Sequence, residues 1–216
     1  MTAAEPVTRQ ERAQATRLRV LEAAVELFAT RPFSEVSAAE IGARAGTAHG
    51  LLFHHFGSKR GLYLEAVREI SRRLFDVSPS DPKAPPGRQL RDLLSQHFAR
   101  VAAHEDLLLG YVSGSIAMTA DPEAWDVLEG LRLRMVHWVC EVTGLDPESP
   151  AAALMLRTAG DALDQLSVRW LQSGRQFEIE SLVEAMIHIV TGSLAAAQQL
   201  DPKLKTARAI ALLSKP

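Results

Sequence analysis

Apolar residues recur every three to four positions through most of the chain, and no stretch alternates apolar and polar residues as a half-buried strand would. The pattern predicts an all-α protein. A first helix over about Gln10 to Ala29 gathers Leu18, Leu21, Val25 and Phe28 on one face, with Arg9, Arg12, Arg17 and Arg19 mostly off it. It stops near Arg31-Pro32, because the residue before a proline disfavours helix. A short helix follows over about 37–45. Ser37 is placed to cap it, with Glu40 reaching back as the other half of a capping box, and Gly46 ends it. The next helix, about 48–56, has Thr47 as its expected cap and ends at Gly57. Ser58 then opens a longer helix to about Val77, with Leu62, Ala66, Ile70 and Leu74 on its inner side.

Behind this lies "VSPSDPKAPPGR", a loop with four prolines, and then five more helical stretches. They run over about Gln89 to Ala103, Asp106 to Ala117, Pro122 to Thr143, Pro147 to Ser173 and Glu178 to Gln199. Asp121-Pro122, Asp146-Pro147 and Asp201-Pro202 each read as an Asp cap followed by proline at the first helical position; the last predicts a short C-terminal helix. The organisation expected is an N-terminal three-helix unit (1–57), a connecting helix (58–77) and a C-terminal helical bundle (78–216).

Composition narrows the class. At 47% hydrophobic and 23% charged, the chain can bury a sizeable core. Its one cysteine, Cys140, excludes an internal disulfide and fits a reducing cytoplasm. No secretory h-region opens the chain. The charge-free apolar runs, 107–120 and 185–200, are shorter than a bilayer span, so no membrane role is expected. The net charge of −2 is unevenly spread. Residues 9–73 hold 11 Lys/Arg against 7 Asp/Glu, and residues 74–216 hold 13 against 18. A basic front and an acidic rear suggest that the front meets a polyanion.

The chemistry concentrates in "GTAHGLLFHHFGSKR" (46–60). Two short helices joined by a glycine-bearing turn form a helix-turn-helix, whose second helix enters the DNA major groove. At 100° per residue Leu52 and Phe56 point inward, while His49, Gly50 and Phe53 point away, with His54 beside them. That outward face holds imidazoles, a ring and a bare glycine, and no carboxylate. Phe53 can touch a thymine methyl, and His49 a base edge or phosphate. Lys59 adds charge at a helix start. Three other readings compete, one being that the rings of Phe53 and Phe56 are simply core, which is the expectation for Phe56. His49, His54 and His55 are three histidines in seven residues, but spacings of five and six do not converge on one ion and no Cys, Asp or Glu completes the set, so no metal is expected. The unit could also be a helix-turn-helix in shape alone.

The segment "VSAAEIGARAGTAHGLLFHHFGSKRGLYLEAV" (36–67) resembles the DNA-binding signature of the TetR family of bacterial transcriptional regulators. Ile41-Gly42-Ala43-Arg44-Ala45-Gly46, Leu52-Phe53-His54-His55-Phe56 and Gly57-Ser58-Lys59 carry the likeness, which extends over about 18–67. Ala48, Leu51 and Phe53 stand where the family often has hydroxyl-bearing residues, which leaves DNA contacts to lean on Thr47, His55, Lys59 and backbone. The resemblance implies phosphate contacts by His55 and Lys59, and base approach by His49, Gly50 and Phe53, with Ser37, Ala48 and His54 in the same surface. It further implies double-stranded operator DNA as partner, a homodimer through the last two long helices, and a small-molecule effector in the rear domain. The apolar stripe of the last long helix, from Ile179 to Leu194, is wide enough to serve a partner as well as a core; a large monomeric core is the other reading. Val190 and Ala197 are expected near that partner face.

Candidate effector contacts are His97, Phe98, Tyr111, Trp125, Trp138, Asp161 and Asp164, the two aspartates because carboxylates in an apolar helix need partners; Arg157 is placed to pair with Asp161. No cofactor is expected. An enzyme assembled from His97, His104, His137, Asp161 and Ser113 or Ser115 has no nucleophile elbow and no phosphate-binding loop in its favour. A helical adaptor that binds protein alone is the third class. The expectation is a cytoplasmic, non-enzymatic, ligand-responsive repressor.

Overall fold

The computed structural model describes residues 8–112 and 122–215, the side chains of Tyr111, Val112, Leu128 and Leu131 excepted. Among the described residues there are ten helices and no strand: α1 (Arg9–Thr30), α2 (Ala38–Arg44), α3 (His49–Phe56), α4 (Lys59–Phe75), α5 (Pro86–Ala103), α6 (Glu105–Val112), α7 (Pro122–Thr143), α8 (Pro150–Gln172), α9 (Ile179–Leu200) and α10 (Ala207–Ser214). They divide into two compact units, Met1–Ile70 with Leu109–Trp125, and Ser71–Leu108 with Asp126–Pro216. Helices α4, α6 and α7 each contribute to both. The expected helix end near Ala117, the serines 113 and 115, and the Asp121 cap lie outside the described residues.

In the first unit α1 is held at its start by a capping box between Thr8 and Glu11, a signal the hydrophobic pattern did not reveal. Its inner face is Val20, Leu21, Ala24, Val25 and Phe28. Leu18 is not part of that face: it is 56% exposed. The ring of Phe28 meets Tyr63 of α4 edge-on at 5.0 Å, and Phe33 lies 5.1 Å from the same ring. This aromatic cluster fastens α1 to α4 with area that the short helices lack. Close to it, Gly110 of α6 sits so near the end of α1 that a Cβ would overlap the Ala29 carbonyl. Only glycine lets the two backbones meet.

The caps differ from expectation in four places. Ser37 accepts from the Glu40 amide, but the Glu40 carboxylate is taken by Arg31 instead of completing a box. The cap of α3 is Ala48, not Thr47, and no side chain bonds that end. Helix α8 begins at Pro150 behind Ser149, because Asp146 closes a local turn onto the Glu148 amide. Asp201 does the same with Lys203, so α10 starts only after Thr206.

The second unit is built on α9, which packs on α8, α5 and α10. Leu182, Val183, Met186, Ile187, Val190, Leu194 and Ala197 all face inward. Val190 and Ala197 are therefore core, not partner-facing. By length and composition alone α9 could cross a bilayer, as core helices of globular proteins also could, and its apolar face is used in packing. Arg91 of α5 ties down the end of α10. It donates to the carbonyls of Leu213, Ser214 and Lys215 while pairing with Glu184 of α9 at 2.7 Å. Satisfying the last carbonyls of a helix with a guanidinium keeps the short α10 in place. Cys140 is fully buried in α7, and burial pushes its thiol above the usual range.

Candidate nucleic-acid interface and effector site

The front site is positioned by two left-handed glycines. Gly46 (φ 62°) ends α2 and Gly57 (φ 72°) ends α3, which a residue with a Cβ would adopt only under strain. Between them the turn is closed by the Thr47 amide donating to the Gly42 carbonyl at 3.0 Å. Leu52 is the one buried side chain of α3, seated with Ile41 of α2 in the core. Phe56 is half-buried under the Arg17 guanidinium, 5.0 Å above its ring.

With Leu52 turned in, the opposite side of α3 faces solvent. His49, Gly50 and His54 are exposed, Leu51 is 40% and Phe53 39% exposed, and Ala48 precedes them. The Phe53 ring stands edge-on to His49 at 5.0 Å. Nothing lies within 4 Å of where a Gly50 side chain would begin. His55 is half-buried and lies against His54 at 5.3 Å. The sequence thus places His49, Gly50, Phe53 and His54 correctly as an open face. Thr47 is partly covered and Ser37 is exposed at the α2 start.

Lys59 is more engaged than its sequence position suggests. Its Nζ donates to the Phe33 carbonyl at 2.6 Å and lies 4.1 Å from the centre of the Phe33 ring. Desolvation there holds the amine below the usual lysine range. An ammonium has three donors, so two remain for another acceptor. Other cations near the turn are also matched to acceptors: Arg17 to Glu65, Arg44 to Glu26, Arg31 to Glu40, and Arg19 to the Ala45 carbonyl at 3.4 Å.

The rear candidates fall into a polar stripe on α8 and its surroundings. Asp164 and Ser167, three residues apart on one face of α8, are both buried. The Arg132 guanidinium from α7 reaches Asp164 at 2.6 Å and Asp161 at 3.2 Å. Arg157 pairs with Glu129 instead of Asp161, because Arg132 already holds that carboxylate. Burial pushes the Asp164 carboxyl up to about 6, against the pull of Arg132. His97 of α5 meets Ser167 at 3.1 Å. Since the Ser167 hydroxyl donates to the Leu163 carbonyl at 2.8 Å, His97 Nε2 must be the donor in this pair, which fixes the tautomer of a neutral ring. Its other neighbours are Phe75, stacked at 6.1 Å, and Phe98 at 5.6 Å; Phe98 in turn meets Trp170 edge-on at 5.8 Å. In this dry setting burial lowers the His97 imidazole to about 4.

His97 and Phe98 thus lie against Ser167 and Trp170 of α8, while Asp161 and Asp164 are joined through Arg132. Trp138 is half-buried on α7, Trp125 is 48% exposed in the first unit, and the Tyr111 side chain lies outside the described residues. Sequence reasoning missed Arg132 and Ser167. The acid spacing 161/164 called for a cation, but nothing in the sequence said that it would come from α7. Among the described residues no cluster of His, Cys, Asp and Glu fits a metal ion.

Two short helices across a tight turn, the first buried against α1 and the second presenting an open face, define a helix-turn-helix domain, a DNA-binding class of fold. The profile of the family described as bacterial regulatory proteins, tetR family, matches residues 20–66, almost the span that the sequence resemblance covers. Residues 20–66 are therefore similar to the N-terminal regulatory segment of that family. The HTH-type transcriptional repressor Rv3405c of Mycobacterium tuberculosis is 33% identical over 129 residues, 60% of this chain and 63% of that protein. The HTH-type transcriptional regulator TtgR of Pseudomonas putida is 33% identical over 92 residues, 41% of this chain and 44% of that protein. The chain therefore spans at most 63% of the length of these curated relatives. In fold it is similar to a tetR-family transcriptional regulator from Streptomyces coelicolor (TM-score 0.72, 22% identity, 94% of this chain and 90% of that one). It is also similar to FadR from Bacillus subtilis in complex with stearoyl-CoA (TM-score 0.60, 18% identity, 81% of this chain and 98% of that one).

Proposed function

We propose that the chain is a transcriptional regulator that binds operator DNA through α3 and represses transcription until a small molecule releases it. The observation that carries this reading is the open, carboxylate-free face of α3 held by a glycine-framed turn, in a segment that matches the tetR family. His49, Gly50 and Phe53 approach bases. His55, Thr47, Lys59 and the uncapped α3 amides approach phosphates, with Ser37, Ala48 and His54 at the margins. The basic balance of residues 9–73 supports binding a polyanion. The regulator acts in the cytoplasm and is no enzyme.

The repressor works as a homodimer through α8 and α9, on a palindromic site. Support comes from the outward side of α9, where Ser181, Ala185, His188, Ile189, Gly192 and Ala195 form an exposed stripe of mostly small or apolar residues. Nothing lies within 4 Å of a Cβ at Gly192, so a second helix can approach closely. Leu154 of α8 is 57% exposed. The effector sits in the second unit beside the Asp164–Ser167 stripe, where Arg132 and His97 supply polar contacts and Phe98 an aromatic wall. Release follows if the effector binds one conformation of that unit more tightly than another.

The test is selection of duplexes from a random pool by the full chain, followed by footprinting. Two protected half-sites about one helical turn apart support the reading; no enriched sequence refutes it. Ile189→Asp places a carboxylate in the dimer face and should give a monomer by light scattering, with the operator no longer bound at wild-type affinity. A dimer that persists would put the interface elsewhere.

A further inference from the structure

The residues on α3 also limit what kind of base it can read. Guanine is read chiefly by Arg or Lys, adenine by Asn or Gln, and cytosine by Asp or Glu. The α3 sequence, HGLLFHHF, contains none of these six residue types, nor do Thr47 and Ala48 before it. The arginines that flank the turn, Arg17, Arg31 and Arg44, are bound to carboxylates of the same unit. What the face offers instead is apolar: Phe53 and Leu51, each about two-fifths exposed, on either side of the Gly50–His54 ridge. Gly50 has open space above it, so a base edge can come close to the helix backbone. The Phe53 ring is steadied by the edge of His49 at 5.0 Å, one turn earlier, which lowers the entropy lost when it docks. Among the base edges of the major groove only thymine presents an apolar group, its C5-methyl.

We propose that α3 reads thymine methyl groups, with the Phe53 ring as the principal contact, so that A·T pairs occupy the recognised positions of each half-site. The inference rests on the DNA-binding reading above and narrows it. His49 and His54 add single hydrogen bonds, which orient the helix without the two-point recognition that singles out guanine.

The test uses a duplex enriched from the random pool and the full-length chain. Each thymine of the duplex is replaced in turn by deoxyuridine, which keeps base pairing and removes only the methyl group. Binding is followed by fluorescence anisotropy at fixed salt. Burying one methyl corresponds to about a fourfold change in affinity. At least one thymine in each half-site should therefore show a loss of roughly that size. Phe53→Ala should weaken the intact duplex and become indifferent, within about twofold, to the same replacement, since a contact removed from one side is not lost again from the other. Phe53→Leu should keep most of the sensitivity. Phe53 is exposed, so both variants should melt with the wild type, and the deoxyuridine scan on wild type stands even if one does not. The inference is overturned if every thymine can lose its methyl without effect, or if the penalty persists undiminished in Phe53→Ala. It is also overturned if the only sensitive positions are guanines, detected by 7-deazaguanine. A pool that yields no enriched sequence would instead fell the regulator reading itself.

Discussion

His97 should make the second unit acid-labile over a defined window. The imidazole is 4% exposed, stacked on Phe75, and its Nε2–H is committed to Ser167. Protonation must put a charge into that dry environment, and burial accordingly lowers the group from 6.5 to about 4. Between those two values the unfolded chain binds a proton that the folded chain refuses. Stability is therefore fully present above about pH 6.5 and is lost as pH falls toward 4. At roughly 1.4 kcal/mol per pH unit the full loss is about 3 kcal/mol, and roughly 2–3 kcal/mol of it should have gone by pH 4.5. The perturbation is His97→Phe, which removes the titrating group but leaves the Ser167 hydroxyl bonded to Leu163. Urea unfolding from pH 7.5 to 4.5, followed by tryptophan fluorescence, gives the two curves. The Asp164 carboxyl, raised to about 6, adds stability as pH falls and acts in both proteins, so the difference between the curves isolates His97. The wild type should lose roughly 2–3 kcal/mol more than the variant across this range. Parallel curves would mean that the imidazole is hydrated or already charged in the folded state, and the reasoning from burial would be wrong.

Two further expectations concern single cations. Arg132→Met should cost about 3–5 kcal/mol, since it strands the buried Asp164 carboxylate, and much of that loss should return in Arg132→Met with Asp164→Asn; thermal unfolding of the single and double variants measures the difference. Lys59→Ala should cost about 1 kcal/mol through the lost bond to the Phe33 carbonyl, and should lower the slope of log affinity against log salt by roughly 1 on specific and random DNA alike; an unchanged slope would take Lys59 out of the phosphate contacts.

The front of the molecule was largely readable because its determinants are local. Gly46 and Gly57 mark their own left-handed backbone, and the 52/56 spacing settles which side of α3 turns inward, so the exposure of His49 and Phe53 follows from a stretch of twelve residues. What depended on distant partners was not readable. Glu40 failed to close its capping box because Arg31, nine residues away, competes for the carboxylate. The aspartate–proline starts misled twice, since Asp146 and Asp201 bond their own next turn before any helix begins. The apolar breadth of α9 was taken to put Val190 toward a partner, whereas α5, α8 and α10 surround that side; periodicity reports how much surface must be covered, not by what. Arg132 could not be paired with Asp164 from sequence, because 32 residues and a loop separate them.

Helix α3 has two turns, one buried side chain and an N-terminus capped by no side chain. In hydrogen-exchange terms such a segment should open far more often than the unfolding of its unit requires, and its amides should be among the first to take up deuterium. A bound duplex would supply what the helix lacks: acceptors for its first amides and cover for its rings. The amides of α3 should then slow by more than those of α1. The ordering that this exacts would appear as an unfavourable entropy and a negative heat-capacity change in calorimetry of the matched site, both smaller on random DNA. On the proposed DNA-binding role, such a helix would travel along mismatched sequence without stopping and become rigid only where the groove completes it.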